Sequence, residues 1–119
     1  MKAANGKTYD LSDRTALFGE KIIEFCKIIP QGPITNPLIV QLVKCGTSVG
    51  ANYCEADNAE SKSDFRHKIG ICKKESREST HFIQMMVVAF PSVKNESRYL
   101  LQESKELNLI FNTIYKKVS

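Results

Sequence analysis

Four cations recur along one segment of the chain: Lys62, Arg66, Lys73 and Arg77. At about 100° per helical residue they fall in one narrow stripe beside an apolar seam. Glu60, Asp64, Glu75 and Glu78 fall mostly on the other flank, with Lys68 mixed among them. Residues 61–80 hold six basic and three acidic side chains, so this segment carries +3 of the formal charge of +4. Such a stripe suits three kinds of chemistry. It can contact the phosphates of RNA or DNA. It can meet the acidic flank of another copy in a closed ring. Or it is a solvated face laced by i,i+4 pairs such as Asp64–Lys68 and Lys74–Glu78.

Catalysis and metal binding find little to work with. Cys72 and His67 are five apart, which does not set two ligands on one helical face, and the paired spacing of a zinc site is missing. Cys26, Cys45 and Cys72 occupy or border apolar positions, where a free thiol behaves as a small hydrophobe. A di-iron bundle needs Glu-x-x-His on two helices; Glu78-Ser-Thr-His81 stands alone. His81 adjoins Phe82 and reads as a surface or seam residue. Ser48, Cys54 and His67 are present, but no motif fixes a nucleophile beside a base. Gly46-Thr-Ser-Val-Gly50 lacks both the Gly-Lys-Ser/Thr ending and the preceding strand of a phosphate loop. The expectation is a protein that is not an enzyme and holds no metal and no cofactor.

Four helical segments must position these residues, and no stretch alternates as a strand does. The first runs from about Leu11 to Ile29, with Leu11, Phe18, Ile22, Phe25 and Ile29 as its buried seam. Asp10 or Ser12 caps its start, and Pro30-Gln-Gly-Pro33 ends it. The second is expected to begin at Asn36 with Pro37 at the first helical position. Its seam is Ile39, Leu42, Gly46, Val49 and Tyr53. Interior glycines cost about 1 kcal/mol each against Ala, so Gly46 and Gly50, one turn apart, imply close approach by another backbone. The third starts at a cap-like Ser61 with Asp64 three residues on, and Pro91 ends it. Phe65, Ile69, Cys72, Ser76, Ser79, Ile83, Met86 and Phe90 keep a 4-3 spacing along it. The fourth spans about Glu96 to Val118, with Leu100, Leu107, Ile110, Phe111 and Ile114 as its apolar side and Lys116 and Lys117 where cations favour the helix dipole. Short connections make neighbours antiparallel, so the expected fold is an all-α, up-down-up-down four-helix bundle over residues 10–119, preceded by a loose tail over residues 1–9.

The whole chain has 119 residues, 42% apolar and 25% charged, which suits one globular domain. No apolar run approaches the ~20 residues of a membrane span, and the first ten residues lack the apolar core of a signal peptide. These features predict a cytoplasmic protein with no membrane partner, in which four separated cysteines remain free thiols.

Three runs resemble a known family: Gln41-Leu-Val-Lys-Cys-Gly-Thr-Ser-Val-Gly-Ala-Asn-Tyr-Cys-Glu-Ala56, Ala59-Glu-Ser-Lys-Ser-Asp-Phe-Arg-His-Lys68 and Lys74-Glu-Ser-Arg-Glu-Ser79. They are similar to the bacterial four-helix bundle proteins, also called the 23S ribosomal RNA intervening-sequence protein family. The resemblance implies a small helical bundle assembled as a homopentameric ring, with no enzymatic activity established. It also implies kinship with a nucleic-acid-binding accessory protein of diversity-generating retroelements. The matching positions are Thr47, Ser48, Ala51, Asn52, Glu55, Ala56, Glu60, Ser61, Asp64, Phe65, Lys68, Lys74, Glu75 and Glu78. Among them Ser48, Asn52, Glu55, Asp64, Lys68 and Glu75 suit packing, capping and pairing: Ser48 and Asn52 are expected to bond across helices, and Glu55 to pair with a cation of the third helix. The chain departs from the pattern after Ser79, where relatives often carry Tyr-Trp and this chain has Thr80-His81-Phe82.

The expected function is therefore a homo-oligomeric bundle that binds RNA or DNA through Lys62, Arg66, Lys73 and Arg77. The alternative is a structural adaptor for a protein partner, with its charged stripes used in self-assembly.

Overall fold

The computed structural model describes residues 10–118; the expected N-terminal tail over residues 1–9 lies outside them. Four helices follow one another: α1 (Leu11–Lys27), α2 (Thr35–Asp57), α3 (Lys62–Ala89) and α4 (Lys94–Lys117), with a 3-10 turn at Pro91–Val93 before the last. The fold is an all-α four-helix bundle, and the described residues include no strand.

The caps follow side-chain chemistry. Asp10 accepts from the Asp13 amide at 2.8 Å, and Ser61 accepts from the Asp64 amide at 3.0 Å. Each takes up one of the orphan donors of a first turn. The first helical residue of α2 is Thr35, two before the expected Pro37, so Pro37 sits at the third helical position and not the first. That place is still free of cost, because the first four amides of a helix have no intrahelical acceptor. Asn36 folds its side chain back instead, accepting from the Gly32 amide at 3.1 Å. Helix α4 starts at Lys94, two residues before Glu96, continuing out of the 3-10 turn over buried Val93.

The core runs along the expected seams. Phe18, Ile22, Leu42, Val49, Ile69, Cys72, Ile83, Met86, Leu107 and Phe111 are fully buried or nearly so. Gly46 and Gly50 mark the crossing of α1 over α2. A Cβ on Gly46 would stand 2.8 Å from the Ile22 side chain, and one on Gly50 would stand 3.2 Å from the Thr15 carbonyl oxygen. The close approach that offsets the glycines is therefore made by α1, with its backbone at Gly50 and with the Ile22 side chain, not backbone, at Gly46.

A polar layer crosses the middle of α3 and α4. The Thr80 and Ser104 hydroxyls lie 2.7 Å apart, and the Asn108 amide donates to the Lys73 carbonyl at 2.8 Å. Among the described residues, every buried side-chain nitrogen and oxygen has a partner, as a low-dielectric interior requires.

The bundle is flattened, 44 × 33 × 19 Å, because α1 and α4 touch over a short stretch only. Arg14 ties them. Its Nε donates to Glu103 Oε2 at 2.7 Å and its Nη2 to Glu103 Oε1 at 2.8 Å, a bidentate pair. Nη2 also reaches Glu106 at 3.1 Å. The Arg14 and Glu103 side chains are only 12% and 10% exposed, and the hydrogen bond to Glu103 raises the affinity of Arg14 for its proton. Above this tie the seam opens into an apolar groove of about 570 Å³, lined in part by Leu17, Phe25, Ile28 and Tyr99.

Candidate nucleic-acid interface

Helix α3 is amphipathic in charge as well as in hydropathy, and its neighbours sort the two flanks. The flank toward α2 carries the acids. Lys68 crosses to Glu55 at 3.2 Å, the pairing expected of Glu55. Glu75 is half-buried there; burial, and then the charge of Glu78, raise its carboxyl above the ordinary range. Asp64 occupies the first turn of α3, where a negative side chain suits the helix dipole. Ser48 and Asn52 do not bond across helices. The Ser48 hydroxyl donates to the Lys44 carbonyl at 2.6 Å, and the Asn52 amide donates to the Ser48 carbonyl at 2.9 Å. Both satisfy the carbonyl one turn back in their own helix, which is always within reach.

The flank toward α4 carries the cations. Lys62 and Arg77 are exposed, while Arg66 and Lys73 are half-buried. Two of the four converge on Tyr115 near the end of α4. The Arg66 guanidinium lies 3.7 Å from the ring centroid and Lys73 Nζ lies 4.7 Å from it, both in cation–π range. Arg66 Nε also donates to the Tyr115 carbonyl at 3.3 Å, filling one of the acceptors left open at a helix end. Gly70, one turn after Arg66, makes room: a Cβ there would stand 3.1 Å from Tyr115 Cε2.

Three adjoining clefts follow the line where α3 meets α4. The lower, of about 480 Å³, includes Lys62, Arg66, His67 and Tyr115. The middle, of about 430 Å³, includes Lys73, Lys74, Arg77 and Asn112. The upper, of about 480 Å³, includes Arg77, His81, Lys105 and Asn108. Arg77 and Asn108 line both the middle and the upper cleft. No Asp or Glu lines any of the three. Among the described residues no carboxylate lies within ion-pair distance of Lys62, Arg66, Lys73 or Arg77. The i,i+4 pairs expected of a merely solvated face are not formed: Lys68 turns to Glu55, and Lys74 stands 3.9 Å from Glu75.

The sequence reading had the α3 wall of this groove and missed the α4 wall: Lys105, Asn108, Asn112 and Tyr115. Two signals were available. Gly70 interrupts the third helix without capping it, and Tyr115 follows Ile114 off the apolar side of the fourth.

The cysteines are unsuited to nucleophilic work where they are buried. Burial pushes the Cys26 thiol up to about 11 and the Cys72 thiol up to about 12, and raises that of Cys45 as well. Cys72 donates to the Val49 carbonyl at 3.5 Å. Cys54 is exposed. Among the described residues no three His, Cys, Asp or Glu side chains converge as a metal site would need, and no helix is long and apolar enough to cross a membrane.

A solved structure shares this fold. It is a protein of unknown function from the S23 ribosomal protein family of Bacteroides thetaiotaomicron VPI-5482. The two superpose with a TM-score of 0.78 at 24% sequence identity, over 90% of this chain and 99% of that one. The likeness is one of fold. No family model and no curated protein matches the chain.

Proposed function

We propose that this protein is a non-catalytic, self-associating helical bundle that holds the phosphates of RNA or DNA along the groove between α3 and α4. The observation that carries the reading is the groove's lining: cations along its length and no carboxylate in it. Like charges left together without counter-charges raise the cost of the folded state. A polyanion removes that cost and gains the entropy of released counterions. Lys62 strengthens the argument, since a cation in the first turn of a helix opposes the helix dipole and is not placed there for stability. The fold likeness to an S23-family protein, together with the runs between Gln41 and Ser79, supports placing the chain among the 23S ribosomal RNA intervening-sequence proteins. A pentameric ring in the cytoplasm is the assembly and compartment that go with that placement.

The test is the salt dependence of binding to generic RNA and DNA. Four phosphate contacts give a slope of log affinity against log salt of about −3 to −4. No retention of either nucleic acid at about 50 mM salt overturns the reading.

A second reading has its own support. Val88 is 75% exposed and Ile34 71% exposed, and both lie at the opposite end of the bundle. An adaptor that docks a protein partner by that end, with the charged flanks engaged in self-assembly, gives a defined complex in light scattering whose mass is indifferent to RNA.

A further inference from the structure

The two walls of the groove are unlike. On α3 the cations stand in one row, about 22 Å from Lys62 to Arg77 at 1.5 Å per residue. On α4 the wall includes the neutral amides Asn108 and Asn112, beside one cation, Lys105. A duplex presents two phosphate backbones, and a surface that spans one of its grooves meets both. One row fits one backbone. The groove is also the furrow between two packed helices, whose axes in such contacts lie about 8–10 Å apart, and a furrow of that width admits a strand more readily than a double-stranded rod.

Two rings along the row add a second, independent observation. His67 and His81 are both exposed, one in the lower cleft and one in the upper, about 21 Å apart along α3. Imidazole rings are among the side chains on which unstacked bases settle, and a paired base inside a duplex has no free face to offer. Tyr115, the other ring in the groove, is covered by Arg66 and Lys73, so it orients cations and does not stack bases.

We infer that the groove binds a single strand of nucleic acid in preference to a duplex, its phosphates on the α3 row and bases on the rings of His67 and His81. This rests on the phosphate-binding reading above and narrows it to one ligand class. The row spans about six nucleotides at the roughly 3.4 Å rise of a stacked strand, and fewer where bases unstack onto the rings, toward the lower end of the range seen for single-strand grooves.

The experiment measures fluorescence anisotropy of a labelled 12-nucleotide RNA, alone and annealed to its complement, against the full-length protein at one salt concentration. The single strand is expected to bind about tenfold more tightly or better. The double variant H67A/H81A is expected to lose about tenfold for the single strand and to leave the duplex affinity unchanged. Both substitutions are at exposed positions, and an unchanged melting temperature shows that the fold is intact. A duplex bound as tightly as the single strand overturns this inference and leaves the phosphate-binding groove standing. So does a double variant with undiminished single-strand affinity. Failure of both ligands to bind overturns the groove itself.

Discussion

The two ends of the bundle differ in what they leave unsatisfied. At the end where α3 begins and α4 finishes, the surplus is charge: the exposed Lys62, Lys116 and Lys117. At the end where α1 and α3 finish, the surplus is apolar surface. Ile23, Ile28, Ile34, Val40, Val88 and Tyr99 are all exposed there. Scattered exposed hydrophobes are ordinary, but six at one end and few elsewhere are a gradient. The contrast teaches that the proposed self-assembly and the proposed polyanion binding have separate surfaces to use. A charged stripe consumed in ring contacts would be a third-helix matter; the apolar end supplies a separate place for protein contact.

The comparison presupposes the frame, and the largest effects come from breaking it. Arg14→Met leaves Glu103 buried without its partner, and should cost about 3 kcal/mol in chemical denaturation, freeing α1 from α4 while both ends keep their chemistry. A change under 0.5 kcal/mol would mean the tie contributes nothing net. Gly50→Leu should cost about 2 kcal/mol, because the added side chain meets the immovable backbone at Thr15; a neutral outcome would show that the helices separate easily there.

The next effect separates the ends. The double reversal Lys62→Glu with Arg77→Glu should weaken RNA binding at least tenfold without altering the oligomer mass or the melting temperature. Val88→Lys should do the converse, changing mass in light scattering and sparing RNA binding. If either variant moves both readouts, the two ends are one interface.

The last effect is alkaline and belongs to the core. Burial holds the Cys26 proton to about 11 and the Cys72 proton to about 12, while an unfolded thiol gives its proton up at about 8.5. The folded chain therefore keeps protons that the unfolded chain releases. The stability from these thiols is complete below the unfolded value and declines as pH climbs through that window. Denaturation midpoints from pH 8 to 11 should fall, and less steeply in Cys72→Ala. Equal slopes for the two proteins would place the alkaline loss elsewhere.

What the sequence disclosed was whatever repeats at helical spacing. The α3 seam of Ile69, Cys72, Ser76, Ser79, Ile83 and Met86 is buried throughout, the caps at Asp10 and Ser61 form, and Gly50 meets a backbone. Periodicity is a local property, and burial follows from it. Pairings between distant segments leave no such trace. Arg14 and Glu103 lie 89 residues apart, and neither residue type announces a buried partner. Ser48 and Asn52 went to the carbonyls of their own helix because those lie nearer than anything across the bundle. The second wall of the groove was hidden for the same reason: Tyr115 and Asn112 gain meaning only once α4 lies against α3.

The bare backbone at Gly70 sets the height at which the Tyr115 ring rides on α3. A methyl there would lift the ring by a few tenths of an ångström and, with it, the two positive groups resting on it. A single hydrogen-for-methyl exchange would thus retune how far two positive groups stand from α3 without touching either one. On the proposed phosphate-binding reading, a side chain at this position would present the same cations at a different height.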